Sequence, residues 1–158
     1  MSKPGRQSVS CSGFLIPETG ELFISKPEKF NFETVIQSFR DFIAEAPLPE
    51  GKKYCMILDN APWHQKAIKL VWTESLPEYQ DIRDKLTYET LPPYSPDLNP
   101  IEQVWRITRR EVTHNRYFKS KDILESSLDS HFLKLRKPND RLRTLCGFKC
   151  YRDSSKAA

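Results

Sequence analysis

The sequence predicts an α/β fold in which short strands alternate with amphipathic helices. Residues 7–16 and 21–25 suit strands on either side of the turn at residues 17–20, which indicates a hairpin. After Asn31, apolar side chains recur at the helical period, which indicates a helix with one face packed on a sheet. A five-residue apolar run at 54–58 is typical of a buried strand. The length of 158 residues suits one domain with a single core.

Each later element has its own local signal. Asn31 is the expected N-cap of the first helix, which ends near residue 46, before Pro47 and Pro49. A second helix is expected at 64–76, a loop or irregular helix at 77–85, and a short strand at 86–90. Ser120 is expected to cap a last helix that runs to about residue 137. Residues 138–158 are basic and show no clear pattern, so we treat them as a tail that follows a domain of residues 1–137.

The net charge of +4 conceals an asymmetry along the chain. Residues 1–102 contain 11 basic and 15 acidic side chains, whereas residues 103–158 contain 14 basic and 6 acidic ones. A basic C-terminal third suits phosphate binding, although ordinary solvated lysines and arginines would give the same count. No signal peptide and no apolar run of membrane-spanning length is present, so we expect a cytoplasmic protein without a membrane partner.

Asp59 follows the apolar run directly and is the first candidate site residue. Ligands and catalytic groups collect at the carboxyl ends of strands in α/β sheets, which favours a functional role. The alternative is an Asp-Asn turn that happens to end a strand.

Glu102 is the second candidate, at the start of a helix expected from Pro100 to about His114. Asn99 suits the N-cap, and Pro100 suits the first helical position. Two structural alternatives remain open for Glu102. It could complete a capping box, or it could pair with Arg106 one turn later, which is worth only about 0.3–0.5 kcal/mol on an exposed helix.

Together the two stretches resemble a known family. The segments LDNAPWH at 58–64 and LPPYSPDLNPIEQVWR at 91–106 resemble the last two catalytic blocks of the DDE transposases, in the mariner-related bacterial insertion-sequence group. The resemblance implies a ribonuclease-H-like mixed sheet flanked by helices. It also implies that Asp59 and Glu102 hold two Mg²⁺ (or Mn²⁺) ions, which would support cleavage and strand transfer of double-stranded DNA at transposon ends and target sites.

The resemblance also gives roles to neighbouring side chains. Three arginines share a helix face with Glu102 and are expected to bind DNA phosphates, namely Arg106, Arg109 and Arg110. Asn60 and His64 lie close enough in sequence to Asp59 to orient water or phosphate. For His64 we favour a hydrogen-bonded structural role.

The sequence departs from the family in one respect that concerns catalysis. The family's first acid is an Asp on the first, central strand of the sheet, ahead of the hairpin, and Asp41 is the sole Asp that precedes Asp59 here. Asp41 lies in a predicted helix, which is the wrong context. We therefore expect a truncated catalytic domain that lacks this strand and the usual helix-turn-helix region. Its partner would be an N-terminal transposase fragment or a second copy. The alternative is a non-catalytic remnant that binds DNA or a related transposase.

Overall fold

The computed structural model of the chain describes residues 6–136 and 139–146. These residues form a mixed α/β structure with two small sheets and six α-helices. The strands are β1 (Ser12–Ile16), β2 (Glu21–Ser25), β3 (Tyr54–Leu58) and β4 (Leu86–Thr90). The helices are α1 (Phe32–Glu45), α2 (Pro62–Ile68), α3 (Gln80–Arg83), α4 (Ile101–Thr108), α5 (Lys121–Leu135) and α6 (Asp140–Cys146).

The chain divides into two compact units, and the domain of residues 1–137 stays a prediction. We call Met1–Lys26 together with Pro100–Ala158 the hairpin unit, and Pro27–Asn99 the Asp59 unit. The first is discontinuous in sequence, because its β-hairpin precedes the Asp59 unit and its helices follow it. A local pattern of apolar residues does not record such a division.

In the hairpin unit, β1 and β2 pair antiparallel, with Ser12 opposite Ser25 and Ile16 opposite Glu21. The turn between them requires Gly20, which has φ +74° and whose added Cβ would lie 2.1 Å from the backbone oxygen of Asn139. Helices α4, α5 and α6 complete this unit. Its buried core consists of Leu22, Val104, Ile107, Val112, Leu124, Leu128, Phe132, Leu135, Leu142 and Cys146.

In the Asp59 unit, β3 and β4 pair in parallel, and α1 and α2 pack beside each other. A full capping box begins α1: the Asn31 side chain accepts a hydrogen bond from the Thr34 N–H at 2.8 Å, and Thr34 Oγ1 accepts one from the Asn31 N–H at 3.1 Å. Phe39 of this helix is 1% exposed and anchors its inner face. The predicted cap and the predicted period of this helix are both confirmed.

Several boundaries differ from those the sequence predicted. The first strand is shorter, at Ser12–Ile16, and α2 continues as a π-helical turn at Lys69–Thr73. Residues 77–85 do form an irregular helical segment, in which the Ile82 side chain is fully buried. Helix α6 lies within the stretch that we treated as a tail, and Leu142 and Cys146 join the core; residues 147–158 lie outside the described residues.

The described strands form two separate two-stranded sheets, where the resemblance implied one mixed sheet without its first strand. Within the described ranges, β1 pairs with β2 alone and β3 pairs with β4 alone. Each sheet therefore has two outer edges, and no further described strand pairs with either of them. No helix in the described part of the chain has the length and apolar character needed to cross a membrane.

Candidate active site

Asp59 stands at the C-terminal end of β3, as the sequence predicted. Met56 and Leu58 of this strand are buried, whereas Ile57 between them is 43% exposed. The alternation fixes one face of β3 against the core and leaves the other open. The side chain of Asp59 is 51% exposed, so its carboxylate is accessible to a ligand from solvent.

Two groups hold the Asp59 carboxylate through the same oxygen. The Ala61 N–H donates to Oδ1 at 3.1 Å, and His64 Nδ1 lies 2.5 Å from that oxygen. A carboxylate only accepts, so the hydrogen bond assigns the proton to Nδ1 of the imidazole. No hydrogen bond to Oδ2 occurs within residues 6–136 and 139–146. Asp59 is therefore oriented through one oxygen and presents the other.

The hydrogen-bonded role that we favoured for His64 agrees with this contact. Ala61 was missed at the level of sequence, because a backbone N–H donor leaves no residue-type signature. Pro62 begins α2 directly after Ala61, so the N–H that binds Asp59 belongs to the N-cap residue of this helix.

Asn60 forms a hydrogen bond between the first segment of the family resemblance, residues 58–64, and the second, residues 91–106. Its Nδ2 donates to the Leu91 carbonyl oxygen at 2.8 Å, and the Leu91 N–H donates to the Leu58 carbonyl oxygen at 2.9 Å. Leu91 begins the proline-rich stretch immediately after β4. The parallel pairing of Leu58 with Thr90 therefore places the start of the second motif beside Asp59. The side-chain amide of Asn60 is thus engaged in a hydrogen bond to the backbone of Leu91.

The loop from Leu91 to Pro100 is constrained along its length. Four prolines restrict its backbone, and Pro96–Leu98 forms a short 3₁₀ turn. Tyr94 has φ +57° and is fully exposed. These restrictions limit the conformations that the backbone of the loop can adopt.

Glu102 occupies the first turn of α4, but the cap differs from the predicted one. The helix begins at Ile101 with Pro100 as its N-cap residue, and no side chain makes a capping hydrogen bond. Asn99 instead ends the preceding 3₁₀ turn, so the prediction of Asn99 as the helix cap was wrong. The capping-box explanation of Glu102 requires a side-chain bond that is not there. Between the described side chains, no ion pair joins Glu102 to Arg106 either.

Comparison with known proteins decides the family. Residues 2–125 match the family described as DDE superfamily endonuclease, which is more than half of the chain. The chain belongs to this family. DDE endonucleases are transposase-related nucleases that act on DNA, typically with divalent metal ions, and membership implies a ribonuclease-H-like fold.

A part of the chain also matches a bacterial protein. An 88-residue segment is 34% identical to "Uncharacterized protein y4pE/y4sA" of Sinorhizobium fredii (strain NBRC 101917 / NGR234). The matched segment covers 54% of this chain and 57% of that protein, so the chain spans little more than half the length of its curated relative. No solved structure matches significantly.

The three candidate arginines differ in their surroundings. Arg106, Arg109 and Arg110 are all exposed. The carboxylate of Glu111 lies 4.0 Å from Arg110 and also pairs with Arg141, which holds the pKa of Glu111 below its usual range. No ion pair involves Arg106 or Arg109 within the described ranges. These two side chains are the ones most available to an anionic ligand.

The residues of the two motifs suit the divalent ions that DDE endonucleases typically use. Hard cations such as Mg²⁺ prefer carboxylate oxygens. The Asp59 carboxylate is accessible from solvent, and His64 holds its Oδ1 atom while Oδ2 remains available to a ligand. Asp41 does not belong to such a site, because it lies on the exposed side of α1 and accepts a hydrogen bond from Gln37. The described residues contain no group of three or more His, Cys, Asp or Glu side chains that could hold a metal ion together.

Proposed function

We propose that this chain contributes Asp59 and Glu102 as metal-binding carboxylates to transposase-type DNA cleavage and strand transfer. The observation that carries the proposal is the fixed, exposed carboxylate of Asp59 at a strand end, beside the start of the motif that leads to Glu102. Both residues lie within the segment that matches the DDE endonucleases.

The chemistry assigns different tasks to the residues of the chain. Asp59 and Glu102 would hold divalent metal, whose contribution when bound is to neutralise charge at the attacking and leaving oxygens of an in-line displacement at phosphorus. His64 keeps the Asp59 carboxylate in one orientation through its Nδ1–H. Arg106 and Arg109 bind DNA phosphates and position the backbone.

Two carboxylates alone give a weak site. We therefore expect low affinity for Mg²⁺ or Mn²⁺ in the chain by itself, with a further decrease in Asp59→Asn and in Glu102→Gln. Isothermal titration calorimetry with Mn²⁺ measures this, with Asp41→Asn as a matched control in which an exposed Asp outside both motifs is neutralised. Unchanged binding in both motif variants would reject the metal assignment.

A third acid completes the family's site, and we propose that a separate transposase segment supplies it on a strand. The support is that β3 pairs with β4 alone among the described strands, which leaves an edge able to accept another strand. Nicking of a transposon-end substrate in Mg²⁺ should then need both the chain and a fragment ending in the Asp-bearing strand. It should be lost with Asp59→Asn or Glu102→Gln and kept with Asp41→Asn.

The second candidate function is a non-catalytic remnant that binds DNA or a related transposase. It is favoured by the absence of a three-acid cluster among the described residues. It predicts DNA binding without nicking in any mixture. If the chain alone nicks the substrate, the assignment of the third acid to another segment is wrong.

A further inference from the structure

A groove of about 710 Å³ runs along the hairpin unit and shares only Arg109 with the candidate residues described above. Its volume is in the range of ordinary ligand sites. Side chains from the segment before β1, from α4 and α5, and from the segment between these two helices line it. Its apolar floor consists of Val9, Trp105, Phe118, Leu124, Leu128 and Phe132.

The floor of the groove is held in place by packing. The ring of Trp105 meets Phe132 edge to face, at 6.3 Å between centroids and 87° between planes. The same ring lies over Gly13 of β1, where an added Cβ would be 3.0 Å from it. Leu124 and Leu128 are each buried to at least 95%. This surface is therefore formed before any ligand arrives.

The rim has a different chemistry from the floor. Arg6, Arg109 and Arg116 line the groove, and all three are exposed. No Asp or Glu lines it, and within the described residues none of the three arginines has an ion pair. The rim is thus a concentration of positive charge, which attracts an anionic occupant.

Tyr117 adds an aromatic surface to this rim. Its side chain is 72% exposed, and its ring has no aromatic partner within the described part of the chain. It follows Asn115, which has φ +55° and turns the backbone sharply after the π-helical turn Arg109–Thr113. An exposed ring in the same groove as cationic side chains is a combination that can bind an unpaired base together with its phosphates.

We propose that this groove binds a single-stranded segment of DNA, with phosphates on the arginine rim and a base stacked on Tyr117. The inference rests on the proposed function in taking DNA as the substrate, and it adds the strand state and the surface. A duplex buries its bases and would meet the arginines alone, whereas an unpaired strand can use Tyr117 as well. An acidic protein segment could pair with the arginines of the rim, but it would not require stacking on Tyr117.

The test is fluorescence anisotropy with a labelled single-stranded oligonucleotide and the matching duplex, without metal. Tyr117→Leu should weaken single-strand binding about fivefold or more, whereas Tyr117→Phe, which keeps the ring, should bind as the native chain does. The duplex should show little difference between these two variants. Arg116→Ala should weaken single-strand binding, and Arg143→Ala should not, because Arg143 pairs with Asp140 and lies outside the groove.

Two outcomes would overturn the proposal. One is equal binding by the Tyr117→Leu and Tyr117→Phe variants, which would remove the stacking contact. The other is equal competition by poly-glutamate, which would make the groove a general polyanion site. Because the assay uses no metal and leaves Asp59 and Glu102 intact, loss of nicking with retained single-strand binding would count against the proposed function only.

Discussion

Helix α4, which carries Glu102 and Arg106, contains a buried polar contact, and Thr108→Val should show how much that contact contributes to stability. Thr108 Oγ1 donates to the Val104 carbonyl oxygen at 2.8 Å and lies 3.0 Å from His131 Nε2. Thr108 is 7% exposed and His131 is 9% exposed. With the hydroxyl donating to Val104, its oxygen accepts from the imidazole N–H. Valine keeps the volume of the side chain but removes that acceptor.

The expected cost follows from the burial of the imidazole. A buried donor left without an acceptor costs about 1–3 kcal/mol, and no cavity term adds to it because the volume is conserved. A shift of the proton to Nδ1, which lies 3.8 Å from Glu111, would bring the cost toward the lower end. Urea titration followed by circular dichroism should show a midpoint lowered by roughly 0.5–1.5 M, for a slope of about 2 kcal/mol/M.

Thr113→Val provides the matched control. Thr113 Oγ1 also donates to a helix carbonyl, that of Arg109 at 3.2 Å, but this bond is exposed and satisfies no buried partner. The substitution should therefore change the free energy of unfolding by less than about 0.5 kcal/mol. If Thr108→Val costs no more than Thr113→Val, the buried contact with His131 is not what stabilises this part of the helix.

Two further predictions concern protonation and DNA. Burial lowers the pKa of His131, although Glu111 opposes this in part, so the folded protein holds the imidazole neutral where the unfolded chain takes up a proton. The contribution of neutral His131 to the free energy of unfolding should be complete above about pH 6.5, and the free energy of unfolding should decrease below that pH. Urea titrations at about pH 7.5 and 5.5 measure this, and His131→Gln should remove the dependence. Separately, Arg106→Ala and Arg109→Ala should each weaken duplex binding and reduce its log–log salt slope by about 0.9, whereas Arg110→Ala, with Glu111 4.0 Å away, should change the slope less. Anisotropy titrations across salt concentration test this, and an affinity independent of salt would contradict it.

The sequence by itself determined the elements that local chemistry controls. Asn31 caps α1 because its side chain reaches the Thr34 N–H three residues away, and the helical period of the following apolar residues marks the buried face. Asp59 follows β3 because an apolar run ends there. Glu102 enters a helix because prolines fix the backbone ahead of it. All of these signals act within a few residues.

The tertiary structure decided the contacts that join distant segments. Asn60 donates to Leu91 only because β3 and β4 pair in parallel, with 31 positions between the two residues. Arg6 and Arg116 line one groove although they are 110 positions apart in the sequence. The N-cap of α4 is Pro100 and not the predicted Asn99, because Asn99 ends the preceding 3₁₀ turn. No local sequence pattern encodes these contacts, because they depend on which surfaces pack together once the elements have formed.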